Sequence, residues 1–233
     1  MSDPRPAPAI HETLIRAEGL SKSYRLGESD VPVLRGLNLE VGRGEFVAVM
    51  GQSGSGKSTL LHILGCLDRP SSGRYRFGGR AVDGLNDTVR SRVRASEIGF
   101  VFQKYHLLPQ LSVFENVGLP FLYSLKPQGN IRNRVMEVLS QVGLTHRALH
   151  RPSQLSGGEV QRAAIARALV AKPTLILADE PTGSLDATTG GEILELLERI
   201  HQGGATLVMV THDSKVASRA GRTLHLKDGR FDS

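Results

Sequence analysis

The nine residues Gly51-Gln52-Ser53-Gly54-Ser55-Gly56-Lys57-Ser58-Thr59 constrain this chain more than any other stretch. They satisfy the pattern G-x-x-x-x-G-K-[ST] in the setting it requires, with an apolar strand before it (residues 46–50) and an apolar helix after it. Glycines at 51, 54 and 56 let the backbone curl without Cβ clashes, so successive N–H groups point into one concavity. That nest sits on a helix N-terminus, whose partial positive charge adds to anion affinity. Lys57 is suited to bridge the β- and γ-phosphates of a nucleotide, and the Ser58 hydroxyl to take one position around Mg²⁺.

The surrounding pattern fits such a loop. Short apolar runs at 14–18, 37–41, 46–50 and 74–77 are punctuated by Gly and Pro, and further β-rich runs follow at 175–178, 207–210 and 223–226. Helical spacing of apolar residues recurs at 132–141, 158–170 and 188–201. In the last of these, Ile193, Leu196, Leu197 and Ile200 form one face, and Glu195 stands one turn before Arg199 as a candidate ion pair. Strands alternating with helices predict an α/β core with a largely parallel sheet. We expect a flexible leader at residues 1–13, one domain over 14–233, and a helical insertion at roughly 104–172 within it.

Two further strands end in chemistry. Leu175-Ile176-Leu177-Ala178 runs into Asp179-Glu180, and Leu207-Val208-Met209-Val210-Thr211 runs into His212-Asp213. Ligands in open α/β sheets bind at the carboxyl ends of strands, so both ends should face the phosphate loop. Asp179 is then a Mg²⁺ partner and Glu180 a general base for an attacking water. His212 is placed to meet a γ-phosphate. Tyr24, after Ser21-Lys22-Ser23, is either a packing residue or an aromatic that stacks on a purine.

Composition narrows the setting. Apolar stretches such as 46–50 and 207–210 fall far short of the ~18 residues that span a bilayer, so the chain is not expected to cross a membrane unaided. A single cysteine, Cys66, excludes a disulfide framework and reads as a small buried residue in the helix after the phosphate loop. The first ten residues carry three prolines and no apolar core of a signal peptide. The net charge of +6 is modest. In the cluster Arg90, Arg92 and Arg94, the spacing with Val89 and Val93 predicts a solvated helix face or a partner contact rather than a nucleic-acid site.

Leu155-Ser156-Gly157-Gly158-Glu159-Val160-Gln161-Arg162 opens a second helix with a Ser hydroxyl and free amides at its start. One domain does not need two such sites for one nucleotide, so this one should serve a nucleotide held by another copy. The segment is similar to the signature motif of the ATP-binding cassette ATPases, the nucleotide-binding subunits of ABC transporters. The resemblance extends from about Leu14 to Arg230. It implies a P-loop NTPase fold of the ABC type, with a mixed, mainly parallel sheet core, an antiparallel β subdomain and a helical insertion. It also implies an ATPase dependent on ATP and Mg²⁺. Tyr24 resembles the adenine-stacking aromatic, and Gln103 the glutamine that joins Mg²⁺ and the attacking water to the transport partner. Ser156, Gly157, Gly158 and Glu159 would touch the opposite subunit's nucleotide. Ser184-Leu185-Asp186 resembles the loop that meets the opposite subunit, and His212 the switch histidine.

The partners implied are a second copy, arranged head to tail, and an integral-membrane permease subunit. The chain would then sit peripherally on the cytoplasmic side of the membrane, with no nucleic acid. Gly65-Cys66-Leu67-Asp68-Arg69-Pro70, the run from Gly99 to Pro109 and Phe114-Glu115-Asn116-Val117 are similar to one branch of the family. That branch holds lipoprotein-releasing ATPases, macrolide exporters and cell-division cassettes. The residues 104–122 would face the membrane partner. His146-Arg147-Ala148-Leu149-His150-Arg151-Pro152 resembles the lipoprotein-releasing type, whereas Gly65-Cys66 and Tyr105 resemble the macrolide type. Val160 and Ser184 depart from the residues common at those places. Competing readings are a soluble ABC-type ATPase acting on ribosomes or nucleic acid, and a small-molecule kinase. The first lacks the expected second cassette or sustained heptads, and the second leaves residues 155–162 unexplained.

Overall fold

Two long antiparallel strands, β1 (Thr13–Leu26) and β2 (Ser29–Gly42), open the computed structural model, which describes residues 12–123 and 129–232. Residues 1–11 of the expected leader lie outside the described residues, and Thr13 already belongs to β1. β3 (Phe46–Met50) enters the phosphate loop and α1 (Lys57–Leu64) leaves it. β4 (Ser72–Phe77) and β5 (Arg80–Ala81) complete a four-stranded sheet in the order β2-β1-β4-β5, whose pairings are all antiparallel.

α2 (Asp87–Glu97) leads into β6 (Ile98–Phe102). α3 (Val113–Gly118), α4 (Ile131–Gln141) and α5 (Gly157–Leu169) follow before the chain returns in β7 (Leu175–Asp179). α6 (Ala187–Gln202), β8 (Thr206–Thr211), α7 (Ser214–Ala217), β9 (Arg222–Lys227) and β10 (Arg230–Phe231) finish the chain. The second sheet runs β10-β9-β3-β8-β7-β6, parallel throughout except where β10 pairs with β9.

The central strands are apolar on both faces, as strands of a covered parallel sheet are. Their alternation divides the interior in two. Val47 and Val49, Leu175 and Leu177, and Val208 and Val210 point to a core shared with α1 and the antiparallel sheet. Phe46, Ile176 and Ala178, with Leu207 and Met209, point to a core shared with α3, α4, α5 and α6. Each fully buried Val, Leu or Ile contributes about 1.5–3 kcal/mol to this packing.

Four local expectations change. Cys66 is buried as expected but is not in a helix: α1 ends at Leu64, and Cys66 lies two residues beyond with φ 56°. Glu195 and Arg199 are both exposed and do not pair. Instead Glu192 meets Arg162 at 2.7 Å and Glu198 meets Arg219 at 3.0 Å, because those two glutamates face neighbouring segments. A surface i,i+4 pair gives only a few tenths of a kcal/mol, too little to order two long side chains. β1 and β2 extend well past residues 14–18 and 37–41, since bulges interrupt their alternation.

The arginine cluster is the fourth. Only Arg92 is solvated. Arg90 is 5% exposed; its Nε and Nη2 donate to the Cys66 carbonyl at 3.2 and 2.8 Å, and Arg94 Nη1 donates to the same oxygen at 2.8 Å. These guanidinium groups satisfy the chain leaving α1, which has no helical partner there. Arg90→Ala is expected to lower unfolding free energy by about 2 kcal/mol, read from urea midpoints. Arg92→Ala should stay within about 0.5 kcal/mol of the parent.

Candidate active site

Four parallel strands end side by side, in the order β3, β8, β7, β6. The register places Met50 beside Thr211, Val210 beside Asp179, and Asp179 beside Phe102. The next residues, Gly51, His212, Glu180 and Gln103, therefore emerge at one edge of the sheet. They line a single cavity of about 1040 Å³ together with Gln52, Ser53, Gly54, Gly56, Lys57, Ser58, Thr59 and Asp179. Every one of these was named from the sequence.

The loop is built for an anion. Gly56 caps α1 with φ 104°, a conformation closed to residues with a side chain at reasonable cost, and no side chain caps the helix. The amides at the start of α1 are thus left for a ligand. Lys57 is 8% exposed, and its Nζ donates to the carbonyls of Gly51 and Gln52 at 2.7 and 2.9 Å. The ammonium is held over the loop rather than in solvent.

Ser58 Oγ lies 3.5 Å from Asp179 Oδ1. Burial pushes the Asp179 carboxyl up, the Ser58 hydrogen bond opposes this, and the charge on Glu180 adds to the rise. A hydroxyl and a desolvated carboxylate are hard oxygen donors of the kind Mg²⁺ takes, so the pair fits that ion. Among the described residues no cluster of three His, Cys, Asp or Glu side chains could hold a metal alone. Such an ion would draw its remaining ligands from other groups, such as phosphate oxygens, water or Gln103.

Glu180 has φ 45°, a left-handed conformation that costs a non-glycine residue about 1–2 kcal/mol. Both carboxylate oxygens are tied down. Oε1 lies 2.8 Å from His212 Nδ1, and Oε2 accepts from Thr211 Oγ1 at 3.2 Å. A carboxylate fixed in this way at the cavity edge can orient and deprotonate water.

The remaining candidates stand apart from this cavity. Ser55 is buried under the loop and lines a smaller neighbouring cavity, where its hydroxyl has no partner. Tyr24 sits beside Thr59; burial raises its hydroxyl, which donates to Asp68 Oδ2 at 2.9 Å. Lys22 Nζ lies 4.8 Å from the ring centroid. Ser156 caps α5 in a reciprocal box with Glu159, and Gly157 and Gly158 form its first turn. The amide and hydroxyl of Ser156, with Arg147, hold the Glu159 carboxyl below its usual range. None of Ser156, Gly157, Gly158 and Glu159 lines the cavity. Asp186 caps α6 through the amides of Thr188 and Thr189, and the Thr189 hydroxyl, together with those amides, holds its carboxyl below the usual range.

Sequence reasoning passed over Val33 and His225, which also line the cavity, and Thr211, which anchors Glu180. His225 was the findable one. It is a polar residue between Leu224 and Leu226 in a strand that pairs with β3, opposite Met50.

The site has known counterparts. Residues 34–183 match the family model described as ABC transporter. The chain is 52% identical over 219 residues to the lipoprotein-releasing system ATP-binding protein LolD of Geobacter metallireducens, covering 94% of this chain and 97% of that one. It is 51% identical to the macrolide export ATP-binding/permease protein MacB 1/2 of Paracoccus denitrificans, covering 94% of this chain but only 33% of the relative. Among solved structures, the dimeric ABC transporter cassette MJ0796 superposes with a TM-score of 0.87 at 43% identity, over 94% of this chain and 97% of the other. The same cassette in a post-hydrolysis state, bound to ADP and Pi, gives 0.87 at 42%. With a phosphate loop, a half-buried Asp179 and a clamped Glu180 converging where four strands end, the chain belongs to the ABC transporter family as an ATP-hydrolysing, nucleotide-binding cassette.

Proposed function

We propose that two copies of this chain close head to tail around two ATP molecules, each lying between the Lys57 loop of one copy and the Ser156 helix of the other. One observation carries this reading: the helix start capped by Ser156, an end of the kind that attracts anions, lies outside the chain's own cavity. The dimeric state of the structural relative supports it. Ser58 and Asp179 would hold Mg²⁺, whose charge offsets that of the phosphate oxygens. Lys57 binds the β- and γ-phosphates, Gln103 and His212 position the water and the leaving phosphate, and Glu180 takes the proton. Loss of the γ-phosphate then removes the contact that bridges the copies, and the dimer opens.

That opening would act on a separate membrane subunit from the cytoplasmic side. No helix among the described residues is long and apolar enough to cross a membrane. A second groove, of about 470 Å³, is lined by Phe100, Phe102, His106, Leu119 and Pro120, inside and beside the stretch 104–122. It is the place we assign to the membrane partner. Lipoprotein release and macrolide export are the two cargo readings that the named relatives support, with peptide-type export a variant of the second. Co-purification of a permease with few spans and a large extracytoplasmic domain is the test. RNA-dependent ATPase activity without membrane association would overturn the assignment in favour of the ribosome or nucleic-acid reading.

The composite site has its own test. In a mixed dimer, Glu180→Gln in one copy leaves the other copy's site as the hydrolysing one. Ser156→Ala in the copy carrying Glu180→Gln is expected to lower turnover about tenfold or more, the worth of one hydrogen bond to a charged group. Ser156→Ala in the copy with intact Glu180 should leave turnover near that of the parent mixed dimer. A reversed pattern in phosphate release would place Ser156 at its own chain's nucleotide.

A further inference from the structure

The turn after Gln103 is held in an unusual way. Tyr105 and His106 are consecutive non-glycine residues with φ 59° and 50°. Such a pair persists only where the surroundings over-determine it. The turn has some support of its own: Tyr105 N–H donates to the Phe102 carbonyl at 3.1 Å, and the His106 ring lies 4.9 Å from that of Phe102. The His106 N–H also donates to the Lys104 carbonyl, and further support comes from a distant residue. Arg167, in the last turn of α5, donates from Nη2 to the Tyr105 carbonyl at 2.8 Å and from Nη1 to the His106 carbonyl.

Arg167 is half-buried, yet no carboxylate within salt-bridge distance is among its partners in the described residues. A charge is therefore placed in the protein with two successive main-chain oxygens as its partners. The planar guanidinium matches two neighbouring oxygens with two nitrogens, a match that one ammonium cannot make equally well.

The other side of the turn is equally confined. A Cβ at Gly183 would come within 2.8 Å of Gln103 Nε2, so the absence of a side chain at 183 makes room for the Gln103 amide. The Ser184 hydroxyl lies 3.5 Å from the Gln103 carbonyl. Gln103 thus stands between the close-lying loop after Glu180 in space and, in sequence, a turn tied to α5, the helix that Ser156 caps.

We propose that Arg167 is a positioning residue for the catalytic centre: by clamping the Tyr105 and His106 carbonyls it fixes the left-handed turn that aims Gln103 into the nucleotide cavity. This rests on the reading of Gln103 given above. Arg167→Met is expected to lower kcat ten- to a hundredfold, the scale of a displacement of about 1 Å, with the KM for ATP within twofold of the parent. Arg167→Lys, which keeps the charge and can still reach one carbonyl, should fall between the two.

The variants are read by steady-state kinetics and by backbone amide hydrogen exchange, alone and in a Gln103→Ala background. Faster exchange over residues 103–106 with α5 unchanged, and no additional loss of kcat on top of Gln103→Ala, is the expected result. Unchanged exchange in the turn would overturn the clamp, whatever Gln103 does. Losses that multiply with those of Gln103→Ala would show Arg167 acting elsewhere and would overturn the positioning role. A Gln103→Ala chain with parent turnover would remove Gln103 from the machinery, and the positioning role with it, while the exchange data would still report on the clamp. If Arg167→Met does not fold, Arg167→Lys carries the same readouts.

Discussion

Glu180→Gln is expected to cut ATP turnover by about 10²–10⁴-fold, the usual worth of a general base, while nucleotide affinity stays within a few-fold of the parent. The geometry separates the two effects. Glu180 does not touch the phosphate loop; its oxygens face Thr211 Oγ1 at 3.2 Å and His212 Nδ1 at 2.8 Å. Glutamine has the same shape, and its carbonyl can still accept from Thr211. It cannot take a proton from water. The strained backbone at 180, with φ 45°, is unchanged by the substitution, so the strand end should keep its course. Binding without hydrolysis means that ATP remains between two copies. Size-exclusion chromatography with ATP and Mg²⁺ should therefore show an accumulated dimer in the variant and none without nucleotide. Phosphate release at the parent rate would remove Glu180 from the role of base.

The parts of this fold that could be read in advance are those where one pattern dominates. β3 stands at 46–50 as expected, and β7 and β8 exceed their expected bounds by one or two residues, because strands buried on both faces are uninterrupted apolar runs. α4, α5 and α6 were likewise visible through their spacing. α2 was read only as a solvated helix face around its arginines and its bounds were not outlined, for a physical reason. Only Arg90 and Val93 are buried in it, so its inward face is partly an arginine and carries too short an apolar pattern to mark its ends. β1 and β2 were foreshortened because their bulges shift the alternation of faces.

The site follows the same division. The loop, Asp179, Glu180 and His212 were legible because each stands at the end of a strand of one parallel sheet, and such strands end together, whereas Gln103, which follows β6, was reached only through the family resemblance. The hydrogen bond from Thr211 to Glu180 and the clamp from Arg167 were not legible. Both depend on the local path of the chain after a strand, and 61 or more residues separate Arg167 from the carbonyls it binds.

Lys57→Ala should abolish tight ATP binding without unfolding the chain, and so lose hydrolysis for a reason opposite to that of Glu180→Gln. The ammonium lies over the loop, 2.7 Å from the Gly51 carbonyl and 2.9 Å from that of Gln52. Those two oxygens belong to residues that line an open cavity, so water can replace the ammonium and the fold is not left with buried unpaired groups. A bound triphosphate has no such substitute. It loses a positive charge in a partly desolvated pocket and a charge-assisted hydrogen bond worth about 1.5–3 kcal/mol. That corresponds to roughly ten- to more than a hundredfold in affinity for one bond alone. A bridge to both β- and γ-phosphates should push the loss toward or beyond the upper end. Titration calorimetry with ATP and Mg²⁺ measures the affinity, and urea unfolding checks the fold. Near-parent affinity in a folded Lys57→Ala chain would remove the loop from phosphate binding. Loss of affinity there, beside retained affinity and lost turnover in Glu180→Gln, assigns the two ends of the cavity to different work: the loop after β3 holds the nucleotide, and the end of β7 acts on the water.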